Sequence, residues 1–522
     1  MKAKIFIKYI TGICLLASTS LIHTSCEKEL ANVLKNDTYS NVYWKNQSDV
    51  EGAVNGTYAL FRKAMTTNQA FFIWGDMPIG KLITNDNSNH NGIYNGNFTT
   101  PYREEGVSNW TNWYRIIDLA NLIIEKTPEI PDSQFADGQK NYLLGQGYYM
   151  RALSYFYMTR VWGDLPLQTE PTETADDAQY KTTTPSEEIL ELVISDAQKA
   201  SSLMDWETVD QSGRRKGNKG AALALLAHAN AFQNDYAKTV LYADSVISQS
   251  SLFSLQPGGF VKDLFQEATA KENIFVLTTK DAENESSGDT GNPFTNSIMF
   301  ITLSNLQYVG FPNSLPLYFI DGSRFNNLYN DVNDQRRIDF YSKFDTGPVT
   351  DDNSANVDRI SLTKYANFVY KNASTFSDVR AESNLIVFRL ADIILLKAEA
   401  LNYLNRDTEA KNAVNIIRKR SGAGEINPNL VGTELLTEIL NERQRELIGE
   451  GHAYFDIVRN IWKRKNTSDF KFNVSSLLKW SIGGTNVNED RFSLKGYRFP
   501  IHNSILNANK DITQIPYWMG KY

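Results

Sequence analysis

The chain has 522 residues, of which 42% are hydrophobic, 22% are charged and 12% are aromatic. This composition is typical of a globular protein that is large enough to bury a core. The formal charge is −7 and no extended basic run is present, which argues against a nucleic-acid-binding protein. Such proteins carry basic patches that neutralise phosphates.

Residues 1–25 are typical of a secretory signal peptide. Lysines near the start precede an apolar run from Ile10 to Ile22, which is too short and too rich in Thr and Ser for a transmembrane helix. Cys14 would be removed with this run, which leaves Cys26 without a partner for a disulfide. We therefore expect thioether lipidation of Cys26, as in a bacterial lipoprotein, and a chain that is anchored to a membrane without crossing it. The alternative is an ordinary signal peptide followed by a chance cysteine.

We predict a single domain over residues 26–522. Its fold class is mainly α: a tetratricopeptide-like helical array with a large loop-rich, short-strand insert, although no strict repeat can be aligned. The helical scaffold is expected at about 40–65, 110–250 and 385–462. The loop-rich face, where Asn, Gly and Pro interrupt the helical pattern, is expected at about 66–109 and 255–384.

The stretch from Tyr142 to Leu167 predicts the inner helix of this array. Large residues recur every seven positions and small residues lie between them, so the two kinds form neighbouring strips on one helix. Gly163 and Pro166 then predict the end of the helix. The residues in these strips are Tyr142, Tyr149 and Phe156, and Gly145, Ala152 and Thr159. We interpret the rings as core packing.

Three local patterns predict element boundaries. Ser48 has Glu51 at capping-box distance, which predicts a helix from Ser48 with Ser48 as its N-cap. The run from Ile274 to Thr279 is typical of a strand. The run from Leu385 to Leu404 is typical of a single helix that pairs with the next one.

A series of short motifs resembles the SusD/RagB family of outer-membrane nutrient-binding lipoproteins. Each motif alone is weak, but the ordered set is specific and spans nearly the whole mature chain. The motifs are, in chain order, Tyr43-Trp44, Trp110-x-x-x-Tyr114-x-x-Ile117-x-x-x-Asn121, Arg151-Ala152 with Gly163-Asp164-x-Pro166-Leu167, Arg389-Leu390-Ala391-Asp392, Asn415-x-x-Arg418-x-Arg420, Glu442-Arg443-x-x-Glu446-Leu447-x-x-Glu450-Gly451, and Pro500-Ile501.

This resemblance implies a lipid-anchored protein exposed on the cell surface of a Bacteroidetes outer membrane. It implies a glycan or oligosaccharide ligand, which is bound and not cleaved, and a TonB-dependent (SusC-like) barrel transporter as partner. It also implies that Arg151 and Asp164 are structural residues. Neither a cofactor nor a metal is expected, and nucleic acid is not expected as a partner.

The loop-rich parts contain the residue types that bind sugars. Aromatic rings stack on the C–H face of a sugar, and amide and carboxylate groups hydrogen-bond to its hydroxyls. For any single ring, the alternative is that it only fastens a loop to the scaffold. The candidate ligand-binding residues are Trp74, Asp76, Asn85, Tyr94, Phe98, Tyr102, Asn296, Tyr308 and Phe311.

Two other classes of function compete with glycan binding. Glu442, Glu446 and Glu450 lie on one helix face and could be the paired carboxylates of a glycoside hydrolase. Arg443 and Arg459 are available to neutralise them, however, and a neutralised carboxylate is a poor general acid, so we expect a structural ion-pair network. The second alternative is a structural or peptide-binding scaffold, because helical arrays often bind peptides.

Overall fold

The computed structural model describes residues 43–84, 89–99, 105–173, 177, 179–206, 214–278, 318–343, 359–372, 374, 377–464 and 489–521. The helices are α1 (Gln47–Thr66), α2 (Ala70–Gly75), α3 (Glu105–Ser108), α4 (Thr111–Lys126), α5 (Gln139–Val161), α6 (Ser186–Leu203), α7 (Lys219–Phe232), α8 (Tyr236–Ile247), α9 (Gly322–Leu328), α10 (Arg336–Asp339), α11 (Leu390–Tyr403), α12 (Asp407–Arg420), α13 (Gly432–Leu447), α14 (Ala453–Ile461), α15 (Glu489–Ser493) and α16 (Asn503–Ala508). The strands are β1 (Ile83–Thr84), β2 (Leu165–Pro166), β3 (Thr183–Thr184), β4 (Asn273–Leu277), β5 (Tyr318–Asp321), β6 (Tyr341–Lys343), β7 (Arg359–Leu362), β8 (Phe368–Asn372), β9 (Ser377–Ala381) and β10 (Leu385–Arg389).

The long helices pack side by side in chain order. Helix α1 packs on α4, α4 on α5, α5 on α6, and α6 on α7, and the series continues through α8 and α11 to α12 and α13. The prediction of a mainly α, tetratricopeptide-like fold is confirmed. None of the helices in the described ranges is long and apolar enough to cross a membrane.

Helix α5 is the inner helix that the sequence predicts. A Cβ atom at Gly145 would lie 2.6 Å from Cγ of Met204, so glycine permits the close approach of the segment that follows α6. The helix ends at Val161, and Gly163 adopts a φ of +91°, which favours glycine. The predicted ring strip is buried in the core: Tyr142, Tyr149 and Phe156.

A buried arginine fixes α5 to both neighbouring helices. Arg151 donates from Nε and Nη2 to the carboxylate of Asp196 on α6, at 2.7 and 2.9 Å. Its Nη1 donates to Oδ1 of Asn121 on α4, at 2.9 Å. A bidentate arginine–carboxylate pair sets orientation as well as distance, so Arg151 fixes the register of three helices.

Asp164 has a comparable role where α5 ends. Its carboxylate accepts from the backbone N–H of Ser186, the first residue of α6, at 3.1 Å, and from Nζ of Lys495 at 2.8 Å. Burial opposes ionisation, but Arg498 and Lys495 outweigh it and lower the pKa of Asp164 to about 2. The carboxylate therefore joins the start of α6 to the C-terminal segment.

The strands form small antiparallel sheets. Among the described residues, one sheet has the order β1-β5-β7-β6, and the others pair β10 with β4, β2 with β3, and β8 with β9. The strand predicted at Ile274–Thr279 is found as β4, Asn273–Leu277, and Thr279 lies outside the described residues. Its partner β10 corrects the prediction that a helix begins at Leu385, because the helix begins only at Leu390. All five residues of β10 are buried against β4 and neighbouring elements, and this tertiary pairing overrides the local helical pattern.

Two further expectations need correction. Helix α1 is capped by Asn46, whose side chain accepts from the N–H groups of Ser48 and Asp49, so Ser48 is not the N-cap. The segment 66–109 also contains more regular structure than predicted, because Ala70–Gly75 forms a helix that is buried along its whole length. A helix without an exposed face shows no amphipathic period, so its sequence resembles a loop or a strand.

Candidate ligand-binding site

The structure describes four of the nine predicted ligand-binding residues: Trp74, Asp76, Tyr94 and Phe98. The remaining predictions lie outside the described residues, as do the signal peptide and the lipidation site: Asn85, Tyr102, Asn296, Tyr308, Phe311 and Cys26.

Trp74 is a core residue. It has no exposed surface, and its Nε1 donates to the backbone oxygen of Val107 at 2.9 Å. Its ring centroid lies 6.2 Å from that of Trp113 and 5.7 Å from that of Trp162. A ring that is enclosed in this way has no face for a sugar, so the prediction that Trp74 contacts a ligand is corrected.

Asp76 is buried beneath the turn between α13 and α14. Its two carboxylate oxygens accept from the backbone N–H groups of Gly449, at 3.0 Å, and Gly451, at 2.6 Å. Burial raises the pKa of Asp76 to about 7, while the two hydrogen bonds oppose the rise. Both carboxylate oxygens accept hydrogen bonds from backbone N–H groups, and the residue is only 1% exposed. Asp76 therefore has a structural role, and the prediction of ligand contact is corrected.

Phe98 also packs in the core. Its ring is stacked on Phe499 with a centroid distance of 4.2 Å and an interplanar angle of 5°. The ring of Tyr454, edge to face, and the guanidinium of Arg491 also lie near it, at 5.8 and 5.2 Å from the ring centroid. Phe98 therefore fastens its loop to the scaffold, which is the alternative stated for single rings.

Tyr94 differs from these three residues because its side chain is half-buried. It lies in a 3-10 helix, Asn89–Asn95, beside Gly80, where a Cβ atom would lie 3.4 Å from that of Tyr94. Gly80 has a φ of +64°, so the turn favours glycine there. Among the described candidates, Tyr94 is the one that retains surface for a ligand.

Glu442 and Glu446 on α13 belong to a buried ion-pair network. Glu450 joins it from the turn after the helix, because α13 ends at Leu447, so the prediction of three glutamates on one helix face is corrected. Glu446 accepts from Nη1 of Arg389 at 2.7 Å, from Nη1 of Arg336 at 3.1 Å, and from Arg420. Glu450 is paired with Nε of Arg389 at 2.8 Å and with Nζ of Lys364 at 2.6 Å. The structural network that the sequence analysis expected is confirmed.

These cations determine the protonation of the carboxyls. Burial would raise the pKa of Glu442, but Arg336, Arg445 and Arg418 outweigh it and lower the pKa to about 2. The pKa values of Glu446 and Glu450 are lowered for the same reason. A carboxyl with a lowered pKa carries no proton at neutral pH, so these groups do not suit the general acid of a glycoside hydrolase.

The expected partners of the glutamates were wrong. Arg443 donates from Nε to Asp456 at 2.8 Å and from Nη2 to Asp392 at 2.7 Å. Arg459 pairs with Glu399 through its Nε, at 2.9 Å. Successive residues on an α-helix point about 100° apart, so Arg443 faces away from the neighbouring glutamate. Two separate networks therefore lie on different faces of α13.

No group of three or more His, Cys, Asp or Glu side chains in the described ranges is arranged to hold a metal ion.

A cleft of 290 Å³ lies beside α4, β2 and α16 and includes none of the predicted residues. The rings of Tyr114 and Tyr180 line it, together with Asp118 and Lys181. Tyr180 is 69% exposed. The sequence did not predict this cleft, because its walls come from three segments that are far apart in the chain. The local signal for it was the aromatic pair of Trp110 and Tyr114, which are four residues apart and so share a helix face.

Comparison with known proteins identifies the family to which this chain belongs. The sequence profile of the SusD family matches residues 279–518, and a profile described as starch-binding and associating with the outer membrane matches residues 32–229. The chain is 28% identical over 473 residues to SusD-like protein P38 of Formosa agariphila, covering 83% of this chain and 88% of the relative. It is 26% identical over 453 residues to SusD-like protein P2 of the same organism, covering 80% and 84%.

Solved structures agree with the sequence matches. A SusD superfamily protein from Bacteroides thetaiotaomicron is 25% identical with a TM-score of 0.71, covering 91% of this chain and 99% of the other. A SusD-like carbohydrate binding protein from Bacteroides vulgatus is 21% identical with a TM-score of 0.68, covering 90% and 97%, and this likeness concerns the fold. The chain belongs to the SusD/RagB family, which includes carbohydrate-binding proteins and proteins associated with the outer membrane.

Proposed function

We propose that this chain is a non-catalytic, cell-surface glycan-binding lipoprotein that passes its ligand to a TonB-dependent, SusC-like barrel transporter. The observation that carries the proposal is the match to the two family profiles, which together span most of the chain. A fold neighbour is described as a carbohydrate-binding protein, and this description supports the choice of ligand class.

The charges on α13 support binding without cleavage. The carboxylates that would be needed for acid–base chemistry are enclosed by arginines and a lysine, and Glu442 and Glu446 have no exposed surface. A sugar could not reach them. We therefore assign them to the stability of the scaffold.

The ligand face is proposed to lie on the loop-rich segments. Of its described residues, Tyr94 is the aromatic platform that we assign to it, because its half-buried side chain retains surface that can stack on a sugar. Asn85, Tyr102, Asn296, Tyr308 and Phe311 complete the proposed set on the strength of their residue types and positions in the chain.

Calorimetry against a panel of soluble glycans tests the ligand. A soluble form lacking residues 1–26 should bind at least one oligosaccharide weakly to moderately, and chromatography of the mixture should show no shortened product. Tyr94→Ala should weaken that binding, whereas Tyr43→Ala should not, since Tyr43 is an exposed ring at the start of α1. A shortened product would establish a hydrolase, and binding of peptides alone would establish the peptide-binding alternative.

The anchor and the partner require the full chain in a bacterium that makes an outer membrane. A tagged full chain should carry lipid, should be cleaved by protease added to whole cells, and should retain a barrel transporter in mild detergent. Cys26→Ala should abolish lipid attachment. Glycan binding without any retained barrel would reject the delivery step while leaving the binding role intact.

A further inference from the structure

The cleft beside α4 has preformed walls. Tyr114 donates from its hydroxyl to the backbone oxygen of Pro166 at 2.6 Å, which fixes one ring against β2. Asn509 donates from Nδ2 to the backbone oxygen of Lys181 at 3.0 Å, which fixes the segment that carries the exposed ring of Tyr180. Ligand binding at such a site loses little conformational entropy, because hydrogen bonds already hold its walls in place.

The polar groups of the cleft retain hydrogen-bonding capacity. Asp118 accepts from the backbone N–H of Thr172 at 2.7 Å and also from the Thr172 side chain, but a carboxylate has about four acceptor positions. Lys181 donates from Nζ to the backbone oxygen of Leu167 at 3.3 Å, and an ammonium group has three donors. The cleft can therefore both accept from and donate to a ligand.

The balance of charge and shape indicates the ligand class. Asp118 and Lys181 carry opposite charges that offset each other, so the cleft favours a neutral ligand over an ion. The rings of Tyr114 and Tyr180 offer flat surfaces for C–H groups. The volume of 290 Å³ is at the lower end of small-molecule sites, which span about 300–1,000 Å³, so it suits one or two sugar rings and excludes a long glycan.

We propose that this cleft is a second binding site, separate from the loop-rich face, that takes a single neutral sugar or the end ring of a short oligosaccharide. Tyr180 stacks on the ring, Asp118 accepts from its hydroxyls and Lys181 donates to its oxygens. This site would extend the proposed function to smaller sugars. The evidence for it is the cleft alone, so the cleft site and the glycan-capture role can each be refuted without the other.

Free sugars test the site. Saturation-transfer NMR of the mature chain with D-glucose, D-galactose and D-mannose should show binding of at least one of them. Tyr180→Ala and Asp118→Asn should each weaken it about tenfold, the loss expected for one aromatic contact or one hydrogen bond to a charged group. Asn can keep the acceptor for the Thr172 N–H, so Asp118→Asn should fold normally. Phe260→Ala, which removes a 57% exposed ring elsewhere, is the matched control and should change nothing.

Four results overturn the proposal. These are no free-sugar binding in a protein that binds oligosaccharides, equal binding in wild type and Tyr180→Ala, equal loss in Phe260→Ala, and binding of glycine or alanyl-alanine in place of any sugar.

Tyr94→Ala separates the two sites. It should weaken oligosaccharide binding at the loop-rich face while the response to free sugars persists. Free-sugar binding that depends on Tyr180, in a protein that captures no larger glycan, would support the cleft and reject the proposed capture role.

Discussion

Asp76 accepts a hydrogen bond of 2.6 Å from the backbone N–H of Gly451, although 375 positions separate the two residues. The bond joins the buried start of the first loop-rich segment to the turn after α13. The second carboxylate oxygen accepts from Gly449 in the same turn. The family-type motif that ends in Glu450-Gly451 therefore owes part of its conformation to a residue near the other end of the chain.

Replacing Asp76 should destabilise the protein. In Asp76→Ala, two buried N–H groups lose their acceptor, at a cost of about 1–3 kcal/mol each in the free energy of unfolding. Urea denaturation followed by circular dichroism measures the change. Asp137→Ala is the control, because Asp137 is exposed, and it should leave the midpoint unchanged. Equal stability of Asp76→Ala and wild type would contradict the structural role.

Gly75→Ala should be destabilising at the same contact. A Cβ atom there would lie 2.2 Å from the backbone carbonyl of Gly451, and a backbone atom cannot move aside as a side chain can. We expect a loss of about 1–3 kcal/mol. Gly52→Ala is the matched control on the exposed face of helix α1, where its Cβ would meet only the tip of the Tyr43 side chain. It should be neutral or stabilising by about 0.5–1 kcal/mol. Similar melting temperatures for the two variants would refute the close contact.

Breaking the network on α13 should cost more than either change. Arg389 faces Glu272, Glu446 and Glu450, so Arg389→Met removes a counter-charge that three buried carboxylates share. The expected loss is about 3–5 kcal/mol in the free energy of unfolding. As a control, Arg406→Met removes the exposed pair with Glu409 and should produce no measurable shift in chemical denaturation.

His452 and Asp76 should contribute to the pH dependence of stability with opposite signs. Burial lowers the pKa of His452 to about 4 from about 6.5, so the folded imidazole binds fewer protons and its contribution to stability falls as pH falls between these values. Burial raises the pKa of Asp76 to about 7 from 3.8, so its contribution rises as pH falls over about the same range. The lowered pKa of Glu442, about 2, adds a loss of stability from about pH 4.5 to 2. Urea midpoints of wild type and His452→Gln from pH 7 to 3 test the sign for His452: the variant should lose less stability than wild type between pH 6.5 and 4, and parallel curves would contradict the assignment.

Burial divides the aromatic candidates into two kinds. Trp74→Ala should lower the melting temperature strongly, since truncating a buried tryptophan costs about 3–5 kcal/mol. Tyr94→Ala should leave the melting temperature nearly unchanged and weaken glycan binding about tenfold. Differential scanning fluorimetry and calorimetry on both variants distinguish the roles. A loss of affinity in a folded Trp74→Phe variant, with none in Tyr94→Ala, would reverse our assignment.

The long helices were predictable from the sequence, because the period of apolar residues directly reports which face is buried. Helix α5 is different, because it is buried on nearly all sides; its seven-residue ring spacing and its stop signal at Gly163 predicted it instead, and both are found in the structure. The run from Leu385 was not predictable, since five consecutive buried residues fit a strand and a helix equally well. Only the partner strand β4 decides between them, and it lies more than a hundred residues away.

The site was harder to predict for a related reason. Aromatic and polar residue types indicate sugar binding only when their side chains are exposed, and exposure depends on contacts between distant segments. Phe98 stacks on Phe499, and Asp76 accepts a hydrogen bond from Gly451. Neither residue could be recognised as a core residue from its local sequence. Tyr180 had no aromatic neighbours in sequence, and only the fold brings it beside Tyr114.

The ion pairs on α13 also restrict how the protein can move. Arg336 and Lys364 come from the loop-rich insert, whereas Glu446 and Glu450 belong to the helical array. All four side chains are buried, so these parts of the insert cannot swing away from the array without separating two ion pairs and exposing the packed surfaces around them. The two pairs therefore fix this part of the insert to the array and oppose the motion of a hinged lid.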